Sequence, residues 1–150
     1  MEKFNTMNWK WAGATFILAA LLCTAMGMGV PFFNILLGLP VGWWAAARNL
    51  RLYTKTSQVL SRTLLISALA AGFTLLLMLV IWAPMFAMLW DPQADPANFG
   101  IPMILYDPLW SFVGWQVLMI FISPFLQWLM SLLGAYLQML VWFSSKKLRD

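Results

Sequence analysis

Charge is missing from three long stretches of this chain, 11–47, 63–90 and 108–145. No other feature restricts the fold as much. A soluble domain intersperses charge through its length, at about 25% of residues. Here charged residues make up 9% and hydrophobic ones 63%. About 20 apolar residues in a helix cross about 30 Å of hydrocarbon. Lipid offers the backbone no hydrogen bonds, so such stretches must satisfy their own, which favours helices. The sequence therefore predicts an all-α, polytopic transmembrane bundle forming a single integral membrane domain over 1–150.

The first and third stretches are each long enough for one span or two, and the middle one holds one. The first breaks at Met28-Gly29-Val30-Pro31, a sound place for a turn. That gives spans over about 11–29 and 32–47. The second of these is short and interrupted by Gly38-Leu39-Pro40-Val41-Gly42. The middle stretch gives a span over about 63–90. The third contains only Ser123-Pro124, where proline removes a donor and kinks a helix without having to end it. It reads as one long span over about 108–143, kinked near Pro124. Asp107-Pro108 opens it as an N-cap followed by proline at the first helical position.

Basic residues set the orientation. The segment 48–62, read as a loop, holds Arg48, Arg51, Lys55 and Arg62 and no acid. The tail holds Lys146, Lys147 and Arg149, and the N-terminus Lys3 and Lys10. The segment 91–107 has three Asp and no base. Four spans put every basic cluster on one side, with both termini cytoplasmic in a plasma or inner membrane. Two other readings of 11–47 stay open. Residues 32–47 read alternatively as a re-entrant segment. Lys3 and Lys10 before an apolar run also fit a secretory signal cleaved near Cys23-Thr24-Ala25, leaving three spans. Leu22 before Cys23 argues against a lipoprotein site, which wants a small residue there.

One pattern stands out for function. Gln116, Ser123, Gln127, Ser131, Gly134 and Gln138 recur along the last span and lie within about 80° of one another on a helix. Lipid cannot satisfy their amides, so this face is expected to turn away from it. Leu118, Ile122, Leu129 and Leu133 then face lipid or apolar neighbours. The stripe reads either as interhelical glue or, with Asn34 and the interrupted second span, as a polar pathway or a substrate-binding surface. Glue is the commoner use. Thr15, Ala19, Cys23 and Gly27 on the first span, and Thr63, Ser67 and Ala71 on the third, form small-residue seams for packing. Arg48, Arg51, Lys55 and Arg62 are candidates for anionic lipid headgroups, at about 1 kcal/mol per base.

Absences narrow the chemistry. The spans hold no Asp, Glu, Lys, Arg or His, which removes the usual proton relay and voltage sensor. The chain has no His, so bis-His haem, common zinc sites and a Ser-His-Asp triad are excluded. Cys23 among methionines suits Cu(I), and Asp91 with Asp95 suits calcium, but both signals are weak beside apolar filling and an ordinary loop. No cofactor, metal or nucleic-acid partner is expected. The leading expectation is a non-catalytic accessory, scaffold or oligomer-forming subunit, partnered by anionic lipid and by other membrane subunits or copies of itself. The alternative is a transporter or binding protein for a neutral or amphipathic small molecule or lipid. An enzyme ranks third and would work at headgroup level, through Asp91, Asp95 and Asp107 or the Arg48–Arg62 segment.

Overall fold

In a computed structural model of the chain, residues 8–26, 32–91, 93–95 and 103–147 are described, and their regular structure is entirely helical. The elements are α1 (Trp9–Met26), α2 (Phe32–Leu52), α3 (Thr56–Phe86), α4 (Pro108–Val117) and α5 (Ser123–Lys147). A 3-10 turn, Ala87–Trp90, extends α3, and a π turn, Leu118–Ile122, joins α4 to α5. Three helical runs are long and apolar enough to cross a membrane: Trp9–Met26, Thr56–Trp90 and Pro108–Ser145. α2, with its asparagines, glycines, proline and arginines, falls short of that apolarity. The expected turn at 28–31 and the proline-rich part of 96–102 lie outside the described residues.

Two expectations need correction. The helix expected as a short, broken second span is neither short nor broken. α2 runs for 21 residues through Pro40, about 31 Å of rise. Pro40 costs the helix one backbone hydrogen bond, and its ring is exposed. Nor is 48–62 a loop. Arg48 and Arg51 belong to the last turns of α2, and Arg62 lies inside α3, leaving only Tyr53–Lys55 as connection. A helix need not end where the hydrocarbon does; charged turns continue it among the headgroups.

The last span holds its expected irregularity one turn before Pro124. Ser123 N–H donates to the Leu118 carbonyl, five residues back, in the π turn. Around it the helical run Pro108–Ser145 covers 38 residues, about 57 Å, more than the hydrocarbon requires. Its start is capped as the sequence suggests. The Asp107 carboxylate accepts from Leu109 N–H at 2.8 Å and Trp110 N–H at 3.2 Å. Ser111 holds the preceding segment down: its Oγ accepts from Leu105 N–H and donates to Leu105 O.

Contacts along the chain fix the packing directions. Trp9 stacks near Trp44 at 5.7 Å, while Asn34 Nδ2 donates to Thr24 Oγ1 at 3.0 Å, so α1 and α2 are antiparallel. Asn49 Nδ2 donates to Thr63 Oγ1 at 3.0 Å across the α2–α3 hairpin. Gly38 lies against the backbone of Gln127 and Gly42 against that of Ser131, so α2 and α5 run parallel. α2 is the central helix, packed against α1, α3 and α5. The chain thus alternates in direction at each successive span-length helix. One end of the bundle carries Lys10, Arg48, Arg51, Lys55, Arg62 and the end of α5, and the other carries Asp91 and Asp107.

Candidate functional site

The polar stripe of α4 and α5 faces inward. Gln116 and Ser123 are 0% exposed, Gln127 1%, Ser131 2% and Gln138 5%. On the opposite side Ile122, Leu129 and Leu133 are exposed, and Leu118 is half-buried. The stripe meets the face of α2 that carries Gly38 and Gly42. A methyl group added at Gly38 would collide with the Gln127 carbonyl, and one at Gly42 with the Ser131 carbonyl. Gly134 approaches the backbone of Leu39 equally closely. Two helices can come this near only where one of them carries no side chain at the contact, which is the physical meaning of glycines four residues apart on a packed helix. Gly38 and Gly42 form the packing pair of α2 against α5. Their spacing was legible, but Pro40 between them suggested a broken helix rather than a packing face.

Hydrogen bonds link the helices at other points than the glutamines. Ser131 Oγ donates to Ser67 Oγ at 2.8 Å, joining α5 to α3. Asn49 and Asn34 join α2 to α3 and α1 through the bonds given above. Gln127 meets α2 through its backbone at Gly38, and its side chain forms no interhelical hydrogen bond among the described residues. Its amide, that of Gln116, Ser123 Oγ and Asn34 Oδ1 are buried without a hydrogen-bond partner among the described residues. Asn34 lies one turn before Gly38, and Ser123 one turn before Gln127. Because α2 and α5 are parallel, Asn34 and Ser123 share one level of the seam, one turn from Gln127, while Gln116 lies further along on α4. Such a set donates and accepts hydrogen bonds while carrying no charge.

The remaining candidates are scattered. Among the described residues no group of three His, Cys, Asp or Glu side chains comes together. Asp91 Oδ1 accepts from Gln93 N–H at 2.9 Å, a local turn, and Cys23 is half-buried on α1. Arg48 lies over the Trp44 ring, 5.7 Å from its centre. Arg51, Lys55 and Arg62 are exposed at the same end. Compared with protein-family models, curated proteins and solved structures, the chain matches none.

Proposed function

We propose that this chain is a four-span, non-catalytic membrane protein that serves as an accessory, scaffold or oligomer-forming subunit, with both termini in the cytoplasm. The observation that carries this reading is the closed α2–α5 seam. The backbone of Gln127 and Ser131, on the stripe most suited to a pathway, closes against the glycines of α2. The apolar faces left outside, Leu129 and Leu133 on α5 and Leu65, Leu69 and Leu76 on α3, meet lipid or a neighbouring subunit. α2 counts as the fourth span because it is the central helix and runs antiparallel to the apolar helix on either side in sequence. A helix sheathed by protein needs less apolarity of its own than one facing lipid. The alternation in turn sorts basic and acidic ends as the inside-positive bias requires.

A second reading has its own support. The unpartnered amide of Gln127, with Ser123 and Asn34, suits a neutral polar solute binding between α2 and α5, with Gln116 further along on α4. Crosslinking separates the two. With Cys23 replaced by Ser, single cysteines at Leu129, Leu133, Leu65 and Leu69 are treated with a short bis-maleimide in membranes at native expression. A subunit gives a discrete crosslinked product from at least one face. Monomer from every position removes the scaffold reading and leaves the solute reading standing.

A further inference from the structure

A cleft of about 300 Å³ opens between α1, α2 and α3, away from the polar seam. Its walls are apolar, with Gly13, Phe16, Leu37, Pro40, Trp44 and Ala70 among them. The Trp9–Trp44 pair closes one end, and Phe16 meets Phe73 edge-on at 5.8 Å further along. In a bilayer an apolar cleft gains nothing from hydrophobicity alone, since lipid tails are as apolar as its walls. What selects an occupant is shape and the charge at the mouth. A single flexible acyl chain can follow such a cleft between the three helices, its methylenes against the apolar walls.

Charge supplies the second argument. The tryptophan end is also the basic end. Lys10 follows Trp9, Arg48 lies over the Trp44 ring, and Arg62 sits one turn before Ile66, which also lines the cleft. Among the described residues the acids Asp91, Asp95 and Asp107 belong to the segments at the other end. Indole rings favour the level of the headgroups, so the mouth is set where a phosphate would sit. We infer that this cleft holds one acyl chain of an anionic phospholipid, drawn from the leaflet at the basic end, with its phosphate met by Lys10, Arg48 and Arg62. The inference is independent of whether the chain works as a subunit.

The test is native mass spectrometry of the full-length protein, released from nanodiscs containing equal phosphatidylglycerol and phosphatidylcholine. The wild type should retain one phosphatidylglycerol in preference to phosphatidylcholine. Gly13→Leu fills the cleft from a position where an added Cβ meets nothing within 4 Å, and it should reduce retention of both lipids severalfold. Ala70→Leu fills it from α3 with the same expectation, should the first variant fold poorly. Lys10→Gln and Arg62→Gln should each lower the preference for phosphatidylglycerol by about fivefold. Millimolar inorganic phosphate should not displace the lipid. Equal retention of the two lipids by the wild type overturns the proposal, as does lipid retention unchanged by both filling variants, or displacement by free phosphate. A filling variant that alters the mass of the protein assembly and not its lipid count assigns the cleft to a protein neighbour instead.

Discussion

Glycine illustrates how little a residue's identity says without its neighbours. Gly42 and Gly13 both lie in apolar helices, yet a methyl group at the first meets the Ser131 backbone and at the second nothing. Gly42→Ala should therefore cost about 3 kcal/mol, the upper end of overpacking, because the obstructing atoms are backbone and cannot swing aside. Gly13→Ala should leave the thermal midpoint unchanged or slightly raised, since alanine is the better helix former. Both are read from the melting of detergent-solubilised protein, and equal behaviour would deny the close approach at Gly42. Gln127 invites the opposite experiment. Its amide is buried without a partner among the described residues, a state worth about 1–3 kcal/mol in lost solvation. Gln127→Leu keeps the volume and removes that cost, so the thermal midpoint should hold or rise. A marked fall would mean that the amide is bonded in the membrane.

At the scale of the helix, periodicity was readable and interruption was not. Gln116 to Gln138 could be placed on one inward face because a glutamine amide in lipid has nowhere else to go. Pro40 could not be read correctly, because whether a proline breaks a helix depends on what lies beside its ring and the carbonyl it frees. Arg48 and Arg62 suggested a loop because charge is a signal of water, and water begins before the helix ends. The π turn left only Pro124 as its trace. Elements also differ in how they are fastened. The Ser131–Ser67 bond spans two helices at 2.8 Å, and a double-mutant cycle with alanine at both should give a coupling of about 0.6 kcal/mol. No measurable coupling would show that packing alone sets this contact. Asp107→Ala should destabilise the first turn of α4 by about 1 kcal/mol, and faster amide exchange at Leu109 and Trp110 would report it.

For the whole molecule the decisive property is the sorting of charge between the two ends of the bundle. Sequence alone reached this sorting through the charge-free stretches. It could not reach the central position of α2, which follows from contacts made by residues far apart in the chain. With Cys23 replaced, cysteines at Asn5 and Leu148 should react with an impermeant maleimide only from the cytoplasmic face. One at Gln93 should react only from the opposite face. Labelling of Asn5 and Leu148 from different faces would reduce the spans to an odd number.

The glycine face of α2 also has a temporal side. It is emerging from the ribosome while the helix that will cover it is still unwritten: at about 5–20 residues per second, Ser131 follows Gly42 by roughly four to eighteen seconds. Throughout that interval Asn34, Gly38, Gly42 and Asn49 have no α5 beside them, although all four are buried in the finished bundle. On the four-span proposal α2 is thus a temporary resident of the bilayer on poor terms, beside α1 and α3, until the last helix arrives and closes over it. A chain whose synthesis stalls before Ser123 should remain open along that face, and quality-control proteases acting in the membrane would meet it there.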